Sequence, residues 1–165
     1  MVQEEMARVP TEETGIEVLS WSDCYWFLTP IRFSVFVDEQ HVPPEMELDE
    51  YDDEALHAVL RVDHQVIGTA RLFQENCESS QFVIGRLCLL KDFRGKGYGQ
   101  LVMLRMLFEA NVRGASSCLI HAQKSAQGLY QAIGFEVCSL PFMEAGIEHI
   151  MMRYFFSNGV VKNPQ

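Results

Sequence analysis

Short apolar runs alternate along this chain with breaks marked by Gly and Pro, and the period of each run assigns its element. IEVLSW (16–21) reads as a first strand. Thr29-Pro30 reads as an N-cap followed by Pro at the first helical position. The helix that follows, in IRFSVFVDEQ, puts Ile31, Val35 and, less cleanly, Phe36 on one face, and His41-Val42-Pro43-Pro44 ends it. ALHAVLRV (55–62) and QVIGTARLFQ (65–74) form a hairpin through Asp63-His64, and QFVIGRLCLL (81–90) is apolar enough for a central strand. In QLVMLRMLFEANVR (100–113) Leu101, Leu104, Phe108 and Val112 share a helical face, Arg105 and Glu109 can pair at i,i+4, and Gly114 suits C′. SCLIHA (117–122) is β-like. SAQGLYQAI (125–133) is a short helix capped by Ser125 and stopped by Gly134, and FEVCSL and EHIMMRYFF close the chain as two strands. Helices and strands mix without strict alternation, so the expected class is α+β, a mixed β-sheet flanked by helices.

Composition narrows the function. The 165 residues fit a single domain (1–165, core about 16–154, peripheral termini), with no internal repeat or linker. The net charge of −10 argues against nucleic acid, whose binding requires Lys and Arg on phosphates. No apolar run approaches the ~18 residues of a membrane span, and MVQEEMARVP has no secretory h-region. Five scattered cysteines without a C-x-x-C pair indicate neither zinc nor a disulfide framework, so no metal and a reducing, cytoplasmic setting are expected. The acid is concentrated: residues 38–54 carry nine carboxylates and no Lys or Arg. Such a stretch is either a solvated loop or a field that attracts a cationic amine.

The chemistry-bearing stretch is R-G-K-G-Y-G (94–99), between a strand and a helix. Glycines let backbone approach an anion, and the helix N-terminus offers unpaired N–H groups. A phosphate-loop G-x-x-x-x-G-K-[ST] fails, because Gly follows Lys96. A dinucleotide fingerprint fails on glycine spacing. A kinase loop fails for want of an H-R-D segment. The residues alone leave two readings, an anion cradle or an ordinary glycine turn.

R-G-K-G-Y-G fits the R/Q-x-x-G-x-G/A signature, and LYQAIGF (129–135), about 30 residues on, fits L-Y-x-x-x-G-F. With both in register, the chain resembles the GCN5-related N-acetyltransferase (GNAT) superfamily. RFSVFVDEQHVPPEMELDEYDDEALH, IGRLCLL, HAQ and AGIEHIMM are similar to its ElaA/YjcF-like branch. The resemblance covers roughly residues 16–154. It implies the acyl-CoA N-acyltransferase fold with splayed central strands, acetyl-CoA as cosubstrate, and direct attack by an amine in a ternary complex.

By the same resemblance, backbone at Leu87, Cys88 and Leu89 would hold the pantetheine, and Arg94, Gly95, Lys96, Gly97, Tyr98, Gly99 and Gln100 the pyrophosphate. Gln123 stands where many relatives carry Asn. Tyr130 would protonate the leaving thiolate, or else pack under the cofactor. Many relatives place a base glutamate on the central strand, but Arg86 occupies that region here, which leaves the base open among Glu45, Glu47, Asp49, Asp52, His57, His121, His149 and a water chain. Arg32, Arg71 and Arg86 could hold an anionic group of the acceptor or pair with the acidic loop, with His57 and His121 as further acceptor-side residues. A nucleophilic Cys88 is disfavoured for lack of a base. The expected activity is N-acetylation of a small-molecule primary amine. A protein or peptide amine acceptor and a non-catalytic acyl-CoA sensor are the alternatives, and the chain is expected as a monomer or homodimer.

Overall fold

The structure, a computed structural model, describes residues 13–157. β1 (Thr14–Ser20) leads into α1 (Trp21–Arg32), whose last turn widens into a π-helical segment (Phe33–Glu39). The helix therefore starts well before Thr29-Pro30, and Pro30 lies inside it rather than at its start. Pro30 has no N–H for the turn before it. The chain beyond it is held by wider-turn bonds, Gln40 N–H to Val35 O at 3.1 Å and Val42 N–H to Phe36 O at 2.9 Å. His41, in left-handed backbone at φ 59, ends the segment ahead of the two prolines and the short α2 (Pro44–Glu47).

β2 (Leu56–Val62) and β3 (Gln65–Phe73) pair antiparallel through Asp63 and His64. Both turn residues have positive φ, 46 and 69, as a two-residue type I′ turn requires. β4 (Gln81–Leu89) pairs antiparallel with β3, but its register jumps: Gly85 faces Arg71 and Cys88 faces Thr69. Arg86 and Leu87 thus oppose the single residue Ala70, and Arg86 takes φ 53 at this bulge. α3 (Tyr98–Val112), β5 (Ser117–Gln123) and α4 (Gln127–Ile133) follow, then β6 (Glu136–Val137), β7 (Phe142–Glu144) and β8 (Ile147–Phe155). The sheet order is β1-β2-β3-β4-β5-β8-β6, with β7 on β8. FEVCSL is reduced to the two residues of β6, and β7 was not anticipated. Ser125 makes no cap hydrogen bond, since a 3₁₀ turn (Lys124–Ala126) precedes α4.

Helices cover both faces of the sheet. α1 packs Cys24 and Leu28 against Val59. On the other face α3 buries Val102, Met103, Met106, Leu107 and Ala110 against β2, β3 and β4. The expected stripe is not the deepest one: Leu101, Leu104 and Phe108 are half-buried and Val112 is exposed. α3 is apolar on most of its circumference, so periodicity could not choose between adjacent stripes.

The mixed sheet contains one parallel step, β4 to β5, and that step opens. Pairing is confined to Gln81–Ser117, Phe82–Cys118 and Val83–Leu119. Beyond these pairs the two strands part, and the cavity occupies the opening.

Candidate active site

The gap between β4 and β5 holds a cavity of about 610 Å³. Gly85 through the end of β4 forms one wall, including Leu87, Cys88 and Leu89, while Leu119, His121 and Gln123 of β5 form the other. Gly68 of β3 backs this region: a Cβ there would stand 2.4 Å from Leu89 Cδ2 and 2.9 Å from Cys88 O, so a side chain would displace the β4 wall.

At one end the wall passes into the glycine loop. Gly95 and Gly97 have φ 74 and 86, and a Cβ on either would meet nothing within 4 Å. Backbone conformation rather than lack of space is what calls for glycine there. Gly97 is the N-cap of α3, whose 15 residues direct their first-turn N–H groups to this end. The arrangement can hold an anion without a metal. Arg94 and Gly99 line the cavity; Gly95, Lys96, Gly97, Tyr98 and Gln100 do not, and lie at the surface beside them. Arg94 is not free. Its Nε donates to Leu89 O at 2.9 Å and its two Nη atoms grip Glu39 at 2.8 and 3.0 Å. The Arg94 hydrogen bond holds the Glu39 carboxyl below its ordinary range. On the other wall Gln123 Nε2 donates to Gln40 Oε1 at 2.7 Å. The end of the π-helical segment therefore reaches both walls, through residues that sequence alone did not single out.

Tyr130 projects from α4 into the same cavity with 9% exposure. Burial pushes its hydroxyl up to about 12, and among the described residues that hydroxyl makes no hydrogen bond. It is a proton-bearing group at neutral pH. Burial likewise pushes the Cys88 thiol up to about 12, which removes it as a nucleophile.

The acidic segment folds over β3 and β4, where three of its carboxylates, Glu47, Asp49 and Asp52, are paired. Arg32 Nε donates to Glu47 Oε1 and Nη1 to Asp52 Oδ1, both at 2.6 Å. Arg71 grips Asp49 with two bonds, 2.6 and 2.7 Å, and reaches Asp52 Oδ1 at 3.0 Å. Arg86 Nη2 donates to Asp49 Oδ2 at 3.2 Å and to the Glu47 carbonyl at 3.1 Å. Three guanidiniums thus meet three carboxylates. Burial pushes the Asp52 carboxyl up, but hydrogen bonds from Arg32 outweigh it and hold it below its ordinary range. Arg71 and Arg86 line the cavity. Arg32 and His57, expected on the acceptor side, do not: their exposures are 0% and 1%, and they belong to the scaffold. His57 packs against Trp21 in a tilted ring contact at 4.8 Å and donates from Nε2 to Asp52 O at 2.9 Å. Burial holds its imidazole below the ordinary histidine range. Of the carboxylates considered as bases, Asp52 is enclosed in this network and Glu45 does not line the cavity, whereas Glu47 and Asp49 line it in ion pairs.

The far end of the cavity holds a second polar group. His121 Nδ1 lies 3.0 Å from Glu144 Oε1, and His149 Nε2 lies 3.7 Å from Glu144 Oε2. The hydrogen bond to Glu144 raises the His121 imidazole above its ordinary value despite partial burial. Glu144 was not singled out in the sequence, because β7 was not recognised. Tyr51 and Phe73, stacked at 4.4 Å, line the cavity as an aromatic wall. Among the described residues no group of His, Cys, Asp or Glu could hold a metal ion, and no helix is long and apolar enough to cross a membrane.

Comparison with known proteins gives a consistent grouping. A family model described as "Acetyltransferase (GNAT) domain" matches residues 12–156. The Bacillus subtilis protein named "Uncharacterized N-acetyltransferase YjcF" is 34% identical over 123 residues, which cover 74% of this chain and 86% of that protein. A Pseudomonas aeruginosa acyl-CoA N-acyltransferase superposes with a TM-score of 0.76 at 29% identity, covering 86% of this chain and 99% of its own. Escherichia coli ElaA superposes with a TM-score of 0.77 at 26% identity, over the same shares of the two chains.

Proposed function

The chain belongs to the GNAT acetyltransferase family, in the company of ElaA and YjcF, and from that membership we propose that it N-acetylates the primary amine of a small molecule with acetyl-CoA as donor. The observation that carries this reading is the cavity between β4 and β5 that runs to the glycine loop at the N-terminus of α3.

The chain's own groups fit such a donor. The β4 backbone at Leu87, Cys88 and Leu89, which has no partner on β5, would bind the pantetheine amides and polarise the thioester carbonyl. N–H groups of Gly95, Lys96, Gly97, Tyr98, Gly99 and Gln100 would take the pyrophosphate. When bound, acetyl-CoA supplies an activated acyl carbon with a thiolate leaving group. Tyr130 would give its proton to that thiolate, and its buried hydroxyl is protonated at neutral pH. Gln123 would be released from Gln40 to meet the cofactor amide. Holding amine and thioester in one cleft supplies most of the acceleration.

Several features favour a small acceptor. Loop residues Met46, Asp49 and Tyr51 flank the acceptor end on one side, and Glu144, Ala145 and Ile147 on the other. The ion network fixes the loop flank in place. Glu75 and Glu144 give that end a negative bias suited to an ammonium group. Free cysteines throughout suit a cytoplasmic setting.

The test is thiol release from acetyl-CoA across spermidine, glucosamine, benzylamine and free amino acids, together with calorimetric titration of CoA. Amine-dependent thiol release is expected. Tight CoA binding with no release on any amine would replace this reading with an acyl-CoA sensor.

A further inference from the structure

The acceptor end of the cavity carries a histidine built as a base. His121 sits on β5, two residues before Gln123, on the strand face that lines the cavity. Its Nδ1 lies 3.0 Å from Glu144 Oε1 on β7. A carboxylate accepts, so Nδ1 carries the proton and the Nε2 lone pair is left available. Among the described residues Nε2 makes no hydrogen bond. The ring is held edge-on to Phe142 at 5.4 Å, and its side chain is 42% exposed, so a captured proton can pass to solvent. Glu144 is itself braced by His149 Nε2 at 3.7 Å, while His149 Nδ1 contacts Ile147 O at 2.7 Å.

We propose that His121, with its tautomer set by Glu144, is the general base that deprotonates the acceptor ammonium. This rests on the acetyltransferase reading and adds to it the identity of the base. Four groups bear on the ring from the neighbouring elements: Glu144 on β7 and Glu75 after β3 directly, and His149 on β8 and Arg86 on β4 through Glu144. The carboxylates stabilise the imidazolium that forms.

The protons balance. Nε2 of His121 takes one proton from the ammonium, and the freed nitrogen lone pair forms the C–N bond as the C–S bond breaks. The thiolate takes the Tyr130 proton, and the amine's second proton restores Tyr130. His121 returns its proton to solvent, so one proton is released per amide formed.

The test combines ring NMR with kinetics. The protein has five histidines, and the resonance missing in His121→Gln identifies His121. Its titration midpoint is expected above the ordinary histidine value in the wild type and lower in Glu144→Gln. A midpoint unmoved by Glu144→Gln overturns the dyad, whether or not any amine is turned over.

For the amine most active with the wild type, His121→Gln is expected to lose about 10²-fold in kcat, with the rise of rate with pH through the imidazole midpoint abolished. Phenylhydrazine, nearly isosteric with benzylamine but neutral at pH 7, should lose far less. A folded His121→Gln that keeps kcat and the pH limb, or that loses equally with both acceptors, overturns the proposal. Thermal melts separate this from a merely structural role, which would lower stability and leave the limb intact. Silence of the wild type on every amine would count against the acetyltransferase reading instead.

Discussion

Arg32 Nε stands 2.6 Å from Glu47 Oε1, with side-chain exposures of 0% and 2%. Fifteen residues separate the two in sequence, and between them lie the widened end of α1 and the start of the acidic loop. The contact holds the acidic segment against the fold, so that Glu47 and Asp49 line the cavity. The gain from such a pair over an apolar substitute is small, but removing one member leaves a buried charge. Arg32→Ala is therefore expected to destabilise by about 3–5 kcal/mol. Arg32→Met paired with Glu47→Leu should cost less, because Asp52, the other partner of Arg32, keeps its hydrogen bond from Arg71. Urea denaturation of the two variants checks this, and similar losses in both would refute it.

His57 makes stability acid-sensitive. Its folded-state imidazole is held below the ordinary 6.5 by burial, so the unfolded chain binds the proton first. Stability is full above that value and falls as pH drops below it toward the folded midpoint. A second loss follows below the ordinary carboxyl value of 3.8, because Asp49 and Asp52 are held lower still in the fold. His57→Gln should remove the first stage and leave the second. Trp21 fluorescence, beside the ring, is the readout for denaturation at pH 7.5, 5.5, 4.5 and about 3.

Gly97 and Gly99 should respond differently to alanine. Gly97 has φ 86, where a Cβ costs about 1–2 kcal/mol. If the loop relaxes to escape this, the strain reappears on binding, and the CoA Kd should rise by roughly 5- to 30-fold. Gly99 has ordinary backbone, and a Cβ there would meet Leu129 at 3.6 Å and Leu89 at 3.8 Å, normal contact distances. Gly99→Ala should bind CoA within about twofold of wild type by calorimetry.

Tyr130→Phe removes a hydroxyl that has no hydrogen-bond partner among the described residues, so the fold should be kept. The expected loss is about 10² in kcat with KM for acetyl-CoA unchanged. A variant at full kcat would reduce Tyr130 to a packing residue.

Glu39 occupies both Nη atoms of Arg94 and, if the proposed pyrophosphate contact forms, would compete with it. The pair is exposed on both sides, 40% and 34%, and such pairs contribute about 0–1 kcal/mol. Glu39→Gln should tighten CoA binding by at most about fivefold, and more at low salt than at high. Weaker binding would show that Glu39 orients Arg94 rather than occupying it.

Much of this protein was legible in short segments. Backbone rules operate within a few residues, so the Asp63-His64 turn and the Gly134 stop after α4 were readable from sequence. So was the strand–glycine loop–helix order, which with L-Y-x-x-x-G-F pointed to the donor.

What the sequence did not determine lies in contacts between distant residues. Nothing local says that Arg32 meets Asp52 while Arg86 reaches the cleft, or that Glu39 holds Arg94, 55 positions away. β7 is three residues long and owes its existence to β8, so Glu144 could not be placed beside His121 until the sheet was formed. The bulge at Arg86 likewise depends on its partner strand. Local sequence sets backbone conformation; which charges face one another is decided by the energy of burying them together, and that exists only in the folded chain.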